Sequence, residues 1–320
     1  MKHKIAITSG DIDGIGAEVI AKALYKIAQQ QGYQFIIWLQ QKEQLYNLNS
    51  LIAQNRVGFV PNWRSFENLE DKDSYDFIFI EKQCPPCEWV EEVAQLAMEK
   101  KVNAMVTAPL SKTGIVQAGR NDIGHTEILK RISGAKDLFM TFLGDQFSVL
   151  LLTGHAPVAQ AVESITEELT LRAIQLGSQF VGQLMKDRIN KPMGLVGVNP
   201  HAGENGLLGL KENKVYTGLI KKVNLQGIPI EGPLVPDVCF QKKFWPSYSL
   251  YIASYHDQGL IPFKMVHSES GGVHITLGLP FHRTSVDHGT AKDIFGKGVA
   301  NEDSMVKAIE TALSLVQKKG

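Results

Sequence analysis

Short apolar runs recur along the chain, each followed by a polar or glycine-bearing turn and then by a segment with helical spacing. Residues 4–8, 35–39, 75–80, 104–107, 147–153, 194–198 and 249–254 read as strands. The first run passes into Ser9-Gly10-Asp11-Ile12-Asp13-Gly14-Ile15-Gly16, and residues 17–29 then have the pattern of a helix. Helical periodicity is clearest over 88–101, 166–188 and 302–317. In the first of these Val90, Val93, Ala94 and Ala97 fall on one stripe, and Thr166, ahead of Glu167, Glu168 and an apolar run, is placed to cap the second. Strand and helix in alternation predict an α/β chain on a largely parallel sheet. At 320 residues two domains, or one large one, are expected, with the polar, glycine-bearing stretches 115–125 and 264–272 as candidate boundaries.

Composition narrows the class by exclusion. Hydrophobic residues make up 44% and charged residues 21%, which rules out disorder and fibrous repeats. Lys plus Arg and Asp plus Glu are 33 each, so no long-range field gathers nucleic acid or anionic lipid, and any anion must be met locally. The first ten residues turn polar too soon for a signal peptide. Runs such as 147–153 fall far short of the ~20 apolar residues that span a bilayer. A soluble cytoplasmic protein without nucleic-acid or membrane partners is expected. Cys84, Cys87 and Cys239 are too few for a disulfide framework, and Cys84-Pro85-Pro86-Cys87 lacks two further ligands for structural zinc, so the thiols are read as inert.

In α/β proteins the site lies beyond the carboxyl ends of the strands. His155, His201 and His256 each follow an apolar strand by a few residues, and the three strands are far apart in sequence. Imidazoles suit a borderline divalent cation, and three protein ligands leave positions open, the pattern of a catalytic metal. Asp257 and Asp237 are candidates to orient such ligands or to bind a substrate amine. A serine hydrolase is disfavoured because no Gly-x-Ser-x-Gly elbow follows a strand. The Gly10–Gly16 segment is not G-x-G-x-x-G; its glycines serve either a tight turn or ligand contact. Gly124-His125-Thr126-Glu127 sits where a helix begins. Lys264 and Arg283, with Arg the natural bidentate partner of phosphate, make an anionic substrate plausible.

Six ordered blocks carry a resemblance that covers nearly the whole chain: Thr8-x-Gly10-Asp11-x-x-Gly14-Ile15-Gly16, Thr107-Ala108-Pro109-x-x-Lys112, Gly124-His125-Thr126-Glu127, Asn199-Pro200-His201-Ala202-Gly203-Glu204, Tyr255-His256-Asp257-Gln258-Gly259, and 275–280 continuing to Arg283 and 284–290. Together they resemble the 4-hydroxythreonine-4-phosphate dehydrogenase family. The resemblance implies two α/β domains flanking a cleft, similar to isocitrate and isopropylmalate dehydrogenases and not a Rossmann fold. Residues 1–120 with 273–320 would form one domain and 121–272 the other. It also implies a homodimer with shared sites. His155, His201 and His256 fall on the family's metal ligands, one supplied by the partner subunit, for one divalent Zn, Mg or Co. His125, Thr126, Lys264, Arg283 and position 274 fall on substrate positions, and Asp237 and Asp257 are assigned with them. The sequence names no general base, and Lys112, an aspartate or bound water are the candidates.

The run 287–298 is similar to the adenosine loop of isopropylmalate dehydrogenases, which assigns Asp287, His288, Gly289 and Thr290 to NAD or NADP. The implied activity is NAD(P)-dependent oxidation and decarboxylation of 4-phosphohydroxy-L-threonine to 3-amino-2-oxopropyl phosphate in pyridoxal phosphate synthesis. The sequence departs from the family at Ile12 and Asp13, at Ala17 in place of Pro, and at His274 in place of Asn. Two alternatives stand beside it: a paralogue oxidising a threonate or erythronate phosphate, and a non-catalytic metal- or nucleotide-binding protein.

Overall fold

The computed structural model describes residues 2–42, 45, 48–268 and 271–317. The chain divides into two compact units, Met1–Lys136 with Leu279–Gly320, and Asp137–Gly278.

The first unit contains β1 (His3–Thr8), β2 (Tyr33–Leu39), β3 (Val57–Val60), β4 (Phe77–Glu81), β5 (Ala104–Thr107) and β12 (His282–Val286). Their order is β3-β4-β2-β1-β5-β12, with parallel pairing throughout. Every residue of β2 is buried, as a strand covered on both faces requires. The helix Pro86–Met98 turns the stripe Val90, Val93, Ala94 and Ala97 into a core with Ala6, Ile36, Ile78 and Met105. The helix Gly16–Ile27 starts hard against the end of β1, where a Cβ on Gly16 would collide with the Ser9 carbonyl. That glycine is fixed by packing before any ligand is considered.

The second unit contains β6 (Phe139–Leu143), β7 (Val149–Leu151), β8 (Met193–Val196), β9 (Ile230–Leu234), β10 (Tyr251–Ala253) and β11 (Val273–Leu277), ordered β11-β6-β7-β10-β8-β9. β6 runs antiparallel to β11 and β7, and the other pairings are parallel. The helix Glu167–Leu184 is capped as its sequence predicts, Thr166 Oγ1 accepting from the Leu169 amide at 3.1 Å. Phe142, Phe147, Tyr251 and Phe263 form the aromatic part of the core beneath β7 and β10.

The unit boundaries fall after Lys136 and Gly278, where the sequence led us to expect breaks after 120 and 272. Two sets of contacts account for the shift. The helix His125–Ser133 inserts Ile128 and Leu129 into the core formed by Pro86–Met98, and Arg131 bridges Glu91 and Asp122 at 2.7 Å each. β11, which carries His274, pairs with β6. Of the expected boundary 264–272, Glu269 and Ser270 lie outside the described residues, and Lys264 lies within the helix His256–His267.

Candidate functional site

In the second unit β10 lies between β7 and β8, so the segments following these three strands emerge side by side. A polar layer ties them together. Thr153 Oγ1 donates to the Ser254 carbonyl at 2.9 Å, and Ser254 Oγ donates to the Val196 carbonyl at 3.0 Å. Gln258 accepts from the Ser254 amide and donates to the Gly197 carbonyl, both at 2.7 Å. Above this layer the His155 and His256 rings approach to 5.0 Å between centroids. His256 Nδ1 is hydrogen-bonded to Asp257 Oδ1 at 2.7 Å, which leaves Nε2 as the nitrogen for a ligand. A carboxylate holding one ring nitrogen while the other faces a ligand is the arrangement of a metal-binding imidazole. This pair therefore fits two positions of a borderline divalent cation.

His201 behaves differently. Residues 201–206 all take positive φ, forming a left-handed turn, and His201, Ala202, Glu204 and Asn205 do so without the freedom of glycine. Such backbone costs about 1–2 kcal/mol per residue and persists where the surroundings over-determine it. Among the described residues no group of three His, Cys, Asp or Glu is placed to hold a metal, so the chain does not gather His201 with His155 and His256 into one donor set. Asp237, in the short helix Pro236–Cys239, and Lys264 are exposed. His274 is buried in β11 and stacks on Phe142, ring centroids 5.0 Å apart.

The first unit holds a second constellation. Arg283, only 2% exposed on β12, donates from Nη2 to Thr107 Oγ1 at 2.7 Å. Burial pushes its guanidinium pKa down to about 9. His125 opens the helix His125–Ser133, whose N-cap, Gly124, offers no side-chain acceptor to the first turn. Burial, and then the charge of Arg283, hold the His125 ring well below the usual imidazole range. Its Nε2 is buried and has no hydrogen-bond partner among the described residues. A buried cation, a neutral imidazole with an unsatisfied nitrogen and an uncapped helix N-terminus together form a cradle for an anion. Thr126, half-buried, belongs to the same turn, whereas Lys112 is exposed at the start of Lys112–Gln117.

The His125 environment carries a stability prediction. The unfolded ring takes up a proton near pH 6.5 while the folded ring resists it, so stability is full above pH 6.5 and falls as the pH drops below that value. One proton can contribute a slope of up to about 1.4 kcal/mol per pH unit. Chemical denaturation of the ligand-free protein from pH 7 downward should show this acid limb, and His125→Asn should flatten it. An unchanged slope in that variant would assign the acid sensitivity elsewhere.

After β12 the chain turns through Asp287, His288, Gly289 and Thr290. Asp287 Oδ1 accepts from Ser304 Oγ at 2.9 Å, and the Thr290 carbonyl accepts from the Ile15 amide at 3.1 Å. His288 Nδ1 bonds the Gly289 carbonyl at 2.9 Å. Gly289 is exposed and open on its Cβ side, leaving room for close approach. Beyond the carboxyl ends of β1, β2 and β4 lies a cavity of about 650 Å³ whose walls include Asp11, Asp13, Gln40, Gln83, Ser111 and Lys292. Lys292 bridges Asp13 at 2.7 Å and Asp11 at 3.3 Å. An open glycine backbone near a cavity at strand ends that mixes apolar walls such as Ile12, Pro85 and Ala118 with charged and amide side chains could receive a nucleotide. Cys84 also lines this cavity, but burial raises the pKa of Cys84 and Cys87 alike, in keeping with inert thiols.

Comparison with known proteins decides the family. The family described as "Pyridoxal phosphate biosynthetic protein PdxA" matches residues 85–312. The chain belongs to the PdxA family. It is 35% identical over 326 residues to a 4-hydroxythreonine-4-phosphate dehydrogenase of Sulfurihydrogenibium sp., covering 98% of each chain. It is also 34% identical to a putative D-threonate 4-phosphate dehydrogenase of Oceanobacillus iheyensis, covering 99% of each. Among solved structures, a 4-hydroxythreonine-4-phosphate dehydrogenase from Klebsiella pneumoniae superposes with a TM-score of 0.77 at 30% identity over 99% of both chains. An isocitrate dehydrogenase from Methylococcus capsulatus shares the fold, with a TM-score of 0.51 at 15% identity over 97% of this chain and 85% of that one. The chain is thus an α/β oxidoreductase of isocitrate dehydrogenase-like fold, and the reading as a non-catalytic binding protein falls. Among its described residues no helix is long and apolar enough to cross a membrane.

Several residues that shape these constellations drew no functional assignment from the sequence. Thr107 stood in a recognised block without a role, and Ser254 and Gln258 flank His256. Glu212 lies in a charged stretch whose hydropathy resembles a solvated surface, yet it is 1% exposed.

Proposed function

We propose that the protein oxidises a phosphorylated hydroxy acid with NAD or NADP, assisted by one divalent Zn, Mg or Co. The observation that carries this reading is the His155–His256 pair with Asp257 bracing His256, in a chain of a dehydrogenase family. When bound, the cation supplies Lewis acidity at the substrate hydroxyl and the nicotinamide accepts the hydride. His155 and His256 would hold two of the cation's positions, and His201 of a second copy is the proposed third donor. Leu207, Leu208 and Leu210, just beyond His201, and Ile261 and Met265, on the helix opened by His256, are all exposed. Apolar surface beside an incomplete donor set supports a homodimer with shared sites. Asp287 to Thr290 and the neighbouring cavity would take the nucleotide.

Arg283, neutral His125 and Thr126 are proposed to bind an anionic group of the substrate, Lys264 and His274 are proposed as further substrate-binding residues, and Asp237 is proposed to bind a substrate amine. Lys112 remains a candidate base. The first substrate to test is 4-phosphohydroxy-L-threonine, whose oxidation beside a carboxylate leaves a β-keto acid that loses CO2 to give 3-amino-2-oxopropyl phosphate. A second reading, oxidation of D-threonate 4-phosphate, is favoured by the relatives that bear that name and by His274 at a position where asparagine is usual in the family. We place the reaction in the cytoplasm, where the three free thiols would stay reduced.

Nicotinamide reduction should be followed spectroscopically with both substrates and erythronate 4-phosphate, with and without each metal. Metal-dependent turnover of phosphohydroxythreonine alone supports the vitamin B6 assignment. Preference for a sugar-acid phosphate keeps the chemistry and changes the substrate, and equal turnover after exhaustive chelation refutes the metal reading.

A further inference from the structure

Besides its own backbone hydrogen bonds, such as that of the Ala202 amide to the Asn199 carbonyl at 3.1 Å, the turn that carries His201 is braced at its entry by one buried carboxylate. Glu212 Oε1 accepts from the Asn199 backbone amide at 2.7 Å, and Oε2 accepts from the Asn199 side-chain amide at 2.9 Å. Asn199 is extended (φ −97°, ψ 158°) and, with Pro200, leads directly into the left-handed turn. In the middle of that turn Gly203, at φ 78°, passes so close that a Cβ would lie 2.7 Å from Glu212 Oε2. The same carboxylate therefore touches both the entry to the turn and its centre. Glu212 opens the π-helical turn Glu212–Tyr216, a wide and uncommon geometry that recurs at functional sites. Four residues on, the Tyr216 hydroxyl bonds Ser254 Oγ at 2.9 Å, two residues before His256. The segment is thus anchored at one end to the His201 turn and at the other to the strand end that delivers His256.

We infer that Glu212 is a positioning residue for His201: its carboxylate fixes the left-handed turn and so the place from which the imidazole is presented. The inference rests on the proposed role of His201 as a metal donor. Charge-assisted hydrogen bonds to a buried carboxylate are among the stronger constraints available to a strained loop. Without them the four non-glycine residues of the turn have every reason to relax to negative φ, which would redirect the ring. Gln at position 212 keeps the volume but turns an amide donor toward the donors of Asn199, so one of the two bonds is lost.

The test is a cobalt titration of the full-length apoprotein, read by the visible absorption of bound Co2+ and independently by calorimetry, for wild type, Glu212→Gln, His201→Ala and the double variant. Glu212→Gln should weaken Co2+ binding ten- to hundredfold and shift the cobalt spectrum. It should cause no further loss in the His201→Ala background, since it acts through that ring. If His201→Ala weakens binding and Glu212→Gln does not, or if Glu212→Gln weakens it equally with and without His201, the positioning role is overturned. If His201→Ala itself leaves Co2+ affinity unchanged, the metal role of His201 fails and the inference with it. Should Glu212→Gln not fold, Asn199→Ala removes one of the same two bonds. About a tenfold loss confined to the His201 background supports the role, and an unchanged affinity overturns it.

Discussion

Replacing His256 with alanine should abolish metal-dependent nicotinamide reduction, lowering kcat/KM by about a thousandfold or more while the fold persists. The magnitude follows from removing one imidazole of a cation whose charge stabilisation is worth several kcal/mol in the transition state. The fold should tolerate the change because His256 is half-buried at the first position of its helix and outside the Phe147 core. Asp257→Ala separates ligation from orientation. It leaves the imidazole in place but removes the 2.7 Å bond to Nδ1, and metal affinity should fall about ten- to hundredfold. Parallel metal titrations and steady-state assays of both variants check this. A His256→Ala enzyme that kept wild-type metal affinity and turnover would exclude the strand-end histidines from the chemistry.

That His155, His201 and His256 follow strands was legible because β7, β8 and β10 are apolar runs that stop sharply at polar residues. Which rings meet was not legible. It depends on the order β7-β10-β8, set by β10 pairing with two strands far back in the chain, Tyr251 with Val149 and with Gly194, and on the left-handed turn at 201–206, which composition does not announce beyond its two glycines. The five strands absent from the sequence reading fail for physical reasons of their own. β3 is a half-exposed edge strand of the first unit, and β9, an edge strand of the second, carries Gly232 and Pro233. β6 lies so close to β7 across a short turn that the longer apolar run beside it took the assignment. In β11 and β12 the polar residues His274, Thr276, Arg283, Thr284 and Ser285 are buried where apolar ones would ordinarily signal a strand. Local rules tend to fail where function overrides them. The polar interior of β12 is therefore consistent with the anion-binding role proposed for Arg283.

Arg283→Met should separate stability from recognition in opposite directions. Burial lowers the folded guanidinium pKa to about 9 from 12.5, so the folded state binds the proton less tightly than the unfolded chain does. The resulting penalty, on the order of a few kcal/mol, is present in full at neutral pH and disappears only as the pH rises from about 9 toward 12.5. Met matches the hydrocarbon length of Arg and carries no charge, so the variant should unfold at equal or higher temperature despite losing the guanidinium's hydrogen bonds, that to Thr107 among them. Substrate recognition should move the other way. A phosphate or carboxylate brought to the guanidinium forms charge-assisted hydrogen bonds that a thioether cannot, and losing them should raise KM about a hundredfold with a smaller change in kcat. Calorimetric unfolding and substrate titration of the same preparation decide the matter. A destabilised Arg283→Met protein with an unaltered KM would make Arg283 a structural partner of Thr107 and leave the anion to His125 and the helix end alone.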